Sequence, residues 1–552
     1  MELTTTVLKD SAYRYFLIVQ DQQRHFPKLI LFIAAIGLFV FAIPAREFIG
    51  FETRFALFAQ EMLRNGWTLF PHTYLGPYPD YPGPSTWVVA FLAKLFGGLS
   101  LPIAVIPSAI LSAWTLVLTW RIGALEDKRW AWAAVLALLG TQAFFQQART
   151  LSIDPYVMAL LTTSMWLILR ADHESRPLPV YKLLLLQFAA LAIRGPIGLV
   201  MLAGVNTVYF FALGQWRRGL NIGLRALGAL ITGTGLLLLA AWIECGSSFM
   251  NEVLRMQVLG RFRETTDPLG TYWVNSFGNY FYTYMLTVPV VLIYWFMRPA
   301  LTPSRQRLFL ALIVWVLVIL VGMSIPATKK ARYILPIAPA LALLASSLVL
   351  SMVGEKYWQR LQKASGYFLR ALPLLVLIGL GFLSKELPKH DMDLSLNLWT
   401  LGSILLLLGW IGWRNRTHFR EESTKIYLIA TATLICTNLI LIEPFNWKKQ
   451  TSAEFVNQVE KLRKDANAEL GFFNIGKDGA AVVYMVNADT SDRPRFYTQK
   501  PNLDKLQKPL YLIMKKHNAK QLFSEYPPAY QGVMDGKSMT AIPLQPKTAL
   551  SK

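Results

Sequence analysis

Charged residues are scarce in this 552-residue chain: they make up 16% of it, whereas soluble domains carry about a quarter. The hydrophobic class accounts for 54%, which excludes an intrinsically disordered chain. The chain has two cysteines, Cys245 and Cys436, and Cys436 lies within an apolar run, so a disulfide-stabilised scaffold is excluded. The composition therefore predicts a protein built largely inside a lipid bilayer.

Long apolar runs recur along the sequence. A membrane-spanning helix needs about 20 mainly apolar residues. The runs that fit this description predict an all-α polytopic membrane protein of about 13 transmembrane helices, centred on 28–46, 101–121, 130–148, 155–170, 181–193, 196–214, 226–243, 282–297, 308–325, 334–353, 369–384, 396–413 and 425–444. A shorter run at 85–97 contains Lys94, which is typical of a helix lying at the membrane interface.

The distribution of positive charge predicts the orientation. A net charge of +22 at pH 7 would suit nucleic-acid binding. However, lysine and arginine concentrate in the loops on one side of the predicted bilayer, as they do on the cytoplasmic side of membrane proteins. We therefore expect a cytoplasmic N-terminus and no nucleic-acid partner.

Three segments predicted on the opposite, non-cytoplasmic side are longer than a connection requires, namely 47–84, 244–281 and 445–552. We expect a transmembrane domain over 1–444 and a small soluble α/β domain over 445–552. In the latter, the spacing of Phe455, Val459 and Leu462 predicts an amphipathic helix. Strands are predicted at 471–475, 495–497 and 509–514.

Basic side chains also gather on the predicted non-cytoplasmic face, where few are expected. They lie near the carboxylates of Glu52 and Asp154, and clustered guanidinium groups are well suited to holding a phosphate. We therefore predict a lipid phosphate as the ligand of Arg54, Arg149, Arg194, Lys329, Lys330 and Arg332. Two structural alternatives stay open: Asp154 as the N-cap of a helix that starts at Pro155, and Arg149 as a residue whose charged end reaches the interface.

Several motifs resemble those of a known family. Residues 51–72, F-E-T-R-F-A-L-F-A-Q-E-M-L-R-N-G-W-T-L-F-P-H, resemble the D-E-T-R-Y-A opening of the bacterial 4-amino-4-deoxy-L-arabinose transferases of lipid A. The segments at 148–155, 194–196 and 332–344 resemble further motifs of that family. It belongs to the GT-C class of membrane glycosyltransferases that use polyprenyl-phosphate sugars, and protein O-mannosyltransferases are relatives.

The chain departs from the family at two positions. Phe51 replaces the first aspartate of the opening motif, and Tyr81, which follows Asp80, stands where the family has a lysine. These departures leave the aminoarabinose substrate and any divalent metal open, and the spacing of histidine, cysteine and carboxylate residues does not indicate a zinc site.

The resemblance implies a GT-C-like fold in the bacterial inner membrane. It also implies transfer of a sugar from an undecaprenyl-phosphate donor to lipid A, or to another glycan or protein, on the periplasmic face. The implied catalytic residues are Glu52 and Asp154, and Asp80 and Tyr81 belong to a substrate loop. The donor phosphate would be bound by Arg54, Arg149, Arg194, Lys329, Lys330, Arg332 and Tyr333.

Two alternatives to an active transferase remain. A transporter or flippase of lipid-linked sugars would be expected to show repeated halves and interrupted helices near the midplane, and the sequence has no such symmetry. An inactive relative that binds lipid without turnover stays open because Phe51 replaces the aspartate.

Overall fold

The computed structural model describes residues 27–43, 46–262, 267–297, 301–326, 329–350, 356–386, 394–414 and 419–546. Helices dominate the part before residue 450. In chain order they are α1 (Pro27–Val40), α2 (Glu52–Asn65), α3 (Pro84–Leu95), α4 (Leu101–Gly123), α5 (Lys128–Leu139), α6 (Gln142–Ala148), α7 (Asp154–His173), α8 (Val180–Arg194), α9 (Pro196–Ala212), α10 (Trp216–Gln257), α11 (Thr271–Met297), α12 (Pro303–Ser324), α13 (Ala338–Ser346), α14 (Lys356–Glu386), α15 (Ser395–Arg414), α16 (Phe419–Thr437) and α17 (Glu443–Gln450).

Within the described ranges, seven helical segments are long and apolar enough to cross a membrane. They comprise Leu101–Gly123, Trp216–Gln257, Pro303–Ser324, Ala331–Val349, Lys356–Ser384, Ser395–Arg414 and Glu422–Asp465. The chain is thus a multi-pass membrane protein, as predicted. The other predicted spans also coincide with helices, although these are shorter or less apolar, so the number of about 13 stays a prediction.

The predicted helix over 130–148 is wrong in one respect, because two helices occupy that range. α5 ends at Leu139 and α6 begins at Gln142. Tyr282 approaches so closely that a Cβ on Gly140 would lie 2.7 Å from its Oη, which donates a hydrogen bond to the carbonyl of Ala137. The interruption between α5 and α6 therefore allows Tyr282 to pack closely against Gly140. The spacing of apolar residues in the sequence does not reveal such a contact.

The long segment 47–84 was expected to be a loop, yet it contains α2 and a two-stranded hairpin, β1 (His72–Thr73) and β2 (Gly76–Pro77). α10 likewise continues past its predicted end at 243. Non-helical backbone at Cys245 and Gly246 divides it into two helices, and Gly246 has φ +76°. This left-handed conformation is one that glycine adopts at little cost.

The C-terminal part is an α/β arrangement. α18 (Ala453–Asp465) corresponds to the predicted amphipathic helix, and the three predicted strands correspond to β3 (Glu469–Phe473), β4 (Arg495–Tyr497) and β5 (Leu510–Lys515). The sequence did not reveal α19 (Ala480–Ala488), α20 (Lys516–Leu522), β6 (Tyr530–Met534) or β7 (Lys537–Leu544). The sheet order is β4-β3-β5-β7-β6; β3 is parallel to β4 and β5, and β7 is antiparallel to β5 and β6.

The C-terminal part rests on α2. Apolar residues of α2, α18, α19, β3 and β5 form one continuous hydrophobic core. Hydrogen bonds reinforce it: Gln60 Nε2 donates to the Val486 carbonyl at 3.1 Å, and the backbone N–H of Phe48 donates to Asn487 Oδ1 at 3.1 Å. α2 is therefore held between the membrane helices and the sheet.

Candidate functional site

Asp154 lies at the centre of the basic cluster. It is the first residue of α7, is 3% exposed, and does not cap the helix with its side chain. Instead its Oδ1 accepts a hydrogen bond from Nη1 of Arg194, and its Oδ2 lies 3.4 Å from Nε of Arg332. Arg194 is the last residue of α8, and Arg332 lies in a 3₁₀ helix, Ala331–Ile337. Three separate elements thus converge on one buried carboxylate, and the N-cap alternative for Asp154 is wrong.

Aromatic rings hold the two arginines. The guanidinium carbon of Arg194 lies 4.5 Å from the centre of the Tyr333 ring, and that of Arg332 lies 5.4 Å from it. Arg332 also lies over Phe51, at 4.3 Å. Such cation–π contacts fix the planes of the guanidinium groups. Each group has five N–H donors, and the contact with Asp154 uses Nη1 of Arg194 and Nε of Arg332, so further donors remain for an anion.

The pair formed by Arg194 and Arg332 has three further polar neighbours: Asp80, Tyr81 and Arg54. Burial raises the pKa of Tyr81 to about 12; the charges of Asp80 and Tyr333 act in the same direction, and those of Arg194 and Arg332 oppose it. Tyr81 therefore stays neutral at physiological pH and can donate a hydrogen bond. Arg54 lies 5.4 Å from the Tyr78 ring centre and 3.4 Å from Asp478 Oδ1.

Lys329 and Lys330 lie just before the 3₁₀ helix and meet the predicted loop 244–281. Lys329 is buried: its Nζ donates to the carbonyls of Asp267 and Pro326, and its backbone N–H donates to Asp267 Oδ2 at 2.9 Å. The backbone N–H of Lys330 donates to the Tyr272 hydroxyl at 3.1 Å. Lys329 thus anchors a loop to the site, while the Lys330 side chain is exposed.

Glu52, the first residue of α2, lies in a separate ion pair. Its Oε2 lies 3.3 Å from Nη1 of Arg46 and accepts a hydrogen bond from the backbone N–H of Ile49. Burial raises the pKa of this carboxyl above its ordinary value, and the charge of Arg46 opposes the shift. Glu52 lines a cavity of about 470 Å³ whose wall does not include Asp154. The two predicted catalytic carboxylates therefore belong to neighbouring but distinct clusters.

Arg149 is placed apart from the other arginines. Its Nε lies 2.6 Å from Glu443 Oε1 and its Nη2 2.9 Å from Oε2, a bidentate pair. Its Nη1 donates to the carbonyls of Leu38, Phe39 and Phe41, where α1 ends. This geometry ties α1, α6 and α17 together, and it explains the buried charge without an anion or a membrane interface.

Several residues of the site were not predicted. They lie in loops or at helix ends, where no sequence motif indicated a role: Arg46, Asp267, Tyr272 and Glu443. Each is recognised only from the residue that it contacts in the folded chain. Within the ranges that the structure covers, no three histidine, cysteine, aspartate or glutamate side chains are grouped to hold a metal ion.

No model of a known protein family matches this chain, and no curated protein does. Solved structures do. The structure of ArnT from Cupriavidus metallidurans bound to undecaprenyl phosphate aligns with a TM-score of 0.69 at 16% identity, covering 93% of this chain and 97% of that one. Its apo structure aligns with a TM-score of 0.69 at 15% identity, covering 94% and 98%. Over most of its length, this chain therefore has the fold of ArnT.

Proposed function

We propose that this protein is a membrane glycosyltransferase that takes its sugar from a polyprenyl-phosphate donor. The observation that carries the proposal is the convergence of Arg194 and Arg332 on Asp154 beside Tyr333. Its setting supports it: the chain shares the fold of a protein that was crystallised with undecaprenyl phosphate. The arginine pair is our assignment for the phosphate site, with Arg54 and Lys330 at its edge.

The donor phosphate is the leaving group of such a reaction, so negative charge develops on its bridging oxygen as the glycosidic bond breaks. Guanidinium groups already fixed by Asp154, Tyr333 and Phe51 stabilise that charge without having to reorganise. Asp154 acts here as a positioning residue, because its two oxygens contact the arginines. Tyr81 stays protonated beside the same pair and contributes one neutral donor.

A hydroxyl acceptor has to lose its proton as it attacks. Glu52 is the stronger candidate for the base, because burial raises its pKa toward the range in which a carboxylate accepts a proton efficiently. Its contact with Arg46 favours the ionised form. Asp154 is the weaker candidate because both of its oxygens contact guanidinium groups.

For the acceptor we propose lipid A, or another glycan or protein, on the periplasmic face of a bacterial inner membrane. The family resemblance of residues 51–72 and the charge distribution of the loops support that placement. Lipid A extracted from cells with and without the protein should differ by the mass of one sugar. Unchanged lipid A would redirect the search to other glycans and to proteins.

The test of the site uses the full chain in lipid nanodiscs with radiolabelled undecaprenyl phosphate. Arg194→Ala and Arg332→Ala should each weaken binding about tenfold or more, the loss expected for a charged hydrogen bond. Arg307→Ala is the matched control, because Arg307 pairs with Asp172 elsewhere in the helix bundle. Equal binding by all variants would refute the phosphate site.

Transfer and transport are separated by a second measurement. Nanodiscs given a lipid-linked sugar and a lipid A acceptor should yield a glycosylated product. In sealed vesicles, movement of the intact donor without product would indicate a flippase. Binding without either outcome would indicate an inactive relative.

A further inference from the structure

A cavity of about 470 Å³ lies at the beginning of α2, and its lining includes Phe51, whose ring contacts Arg332. It is bounded by the end of α1, the segment 46–52, α6 and α17. Its volume falls in the range of about 300 to 1,000 Å³ that small-molecule sites occupy. It is therefore large enough for one or two sugar rings.

The charged groups in its wall are already paired. Arg46 contacts Glu52 at 3.3 Å, and Arg149 contacts Glu443 through two hydrogen bonds. Two cations and two anions balance each other, so the wall offers no net charge to attract an ion. A neutral ligand that hydrogen-bonds is favoured over a phosphate or a metal ion.

Amide side chains supply the remaining polar groups. Gln146, Gln147, Asn446 and Gln450 line the cavity, and within the described residues Gln147 Oε1 is buried without a hydrogen-bond partner. An amide both donates and accepts, as a sugar hydroxyl does. Trp447 adds an indole ring to the same wall and is 39% exposed. Amides beside an aromatic ring complement the polar edge and the apolar face of a pyranose.

We propose that this cavity binds a sugar ring of one of the two substrates, with Gln147, Asn446 and Trp447 as residues that determine its specificity. The inference rests on the proposed glycosyl transfer and adds a substrate subsite to it. The two sites share Phe51: its ring contacts Arg332, and both Phe51 and the next residue, Glu52, line the cavity. A ring held there lies beside the candidate base and next to the phosphate cluster.

The first experiment measures binding directly and needs no turnover. Methyl glycosides of glucose, glucosamine and arabinose are added to the full chain in nanodiscs, and saturation transfer to each glycoside is measured by NMR. Detergents with sugar headgroups are avoided, because they would compete. At least one glycoside should bind, and Asn446→Ala and Trp447→Ala should each weaken its binding about fivefold to tenfold.

Two matched controls exclude general effects. Gln531 is an exposed amide on β6 and Trp399 is an exposed indole on α15, so Gln531→Ala and Trp399→Ala should leave glycoside binding unchanged. Asn446 and Trp447 are not buried either, so their variants should fold. Failure of every glycoside to bind, or equal binding by cavity and control variants, would overturn the proposal.

A further arm identifies which substrate supplies the ring. Undecaprenyl phosphate that carries the same sugar through its anomeric carbon is added to the same sample. Loss of the glycoside signal places the donor sugar in the cavity, and persistence of the signal places the acceptor sugar there. Undecaprenyl phosphate binding is measured in parallel: if it depends on Arg194 and Arg332 while no glycoside binds, the cavity assignment alone fails. If undecaprenyl phosphate does not bind, the proposed function fails.

Discussion

The guanidinium carbon of Arg332 lies 4.3 Å from the centre of the Phe51 ring. The aminoarabinose transferases that residues 51–72 resemble carry an aspartate where this chain has Phe51. Here the arginine meets an aromatic face instead, and Asp154 is the carboxylate that its Nε approaches, at 3.4 Å. The Phe51 ring therefore contacts the arginine without adding a second carboxylate beside it.

Phe51→Leu should weaken binding of undecaprenyl phosphate about twofold to fivefold. The loss corresponds to about 0.5 to 1 kcal/mol of cation–π stabilisation, which keeps Arg332 oriented. Phe51→Tyr retains an aromatic face and should bind nearly as the wild type does. The measurement is equilibrium binding in nanodiscs, and unchanged binding by Phe51→Leu would show that the ring does not orient Arg332.

Arg149→Ala should lower the thermal stability of the protein without lowering the affinity of the folded fraction for undecaprenyl phosphate. Removing this side chain leaves Glu443 without its bidentate partner and three carbonyls at the end of α1 without their donor, a loss of about 3 to 5 kcal/mol. Arg149→Lys should rescue little, because an ammonium group lacks the planar fork. Thermal unfolding and lipid binding are compared for both variants; a selective loss of binding would instead assign Arg149 to the phosphate site.

The rate of transfer should fall on the acidic side with a midpoint above the ordinary pKa of a glutamate, because burial raises the pKa of Glu52 and the ionised form acts as base. The charge of Arg46 favours that ionised form. Arg46→Ala should therefore move the midpoint to higher pH, and Arg46→Lys should move it less. The check is a rate–pH profile at saturating donor; identical midpoints in all three proteins would remove Glu52 as the base.

Gly195→Ala should destabilise the turn that presents Arg194. Gly195 has φ +71°, and a Cβ there would lie 2.2 Å from Gln257 Oε1. We expect a loss of about 1 to 2 kcal/mol in stability from the left-handed backbone, together with weaker lipid binding. The double variant with Gln257→Ala relieves the clash but not the backbone strain, so it should recover part of the loss. Full recovery would show that the conformation of Gly195 does not matter.

The position of most helices was predictable because apolar run length is a local property. α2 was missed although it is a regular helix of 14 residues. Its buried face packs against α3 and α19 rather than against lipid, so its hydropathy is lower than that of a span. β6 was missed because this short strand, at the edge of the sheet, alternates exposed and partly buried residues. Its partner β7 was missed with it.

The candidate site was predicted as a set of residues but not as an arrangement. Arg194 and Arg332 do converge on Asp154. Arg149 was assigned to the same cluster, but it pairs instead with Glu443, which lies 294 residues away in the chain. No local pattern distinguishes an arginine that will meet a carboxylate from one that will meet a phosphate.

The amino-acid sequence alone determined that the chain is a helical membrane protein with basic residues gathered near two carboxylates. Hydropathy and charge are properties of each residue, so they can be read without the fold. The tertiary structure decided which charges pair, that Glu52 and Asp154 occupy separate clusters, and that a polar cavity lies beside Glu52. Those features depend on contacts between segments far apart in sequence, and such contacts form only when the helices pack.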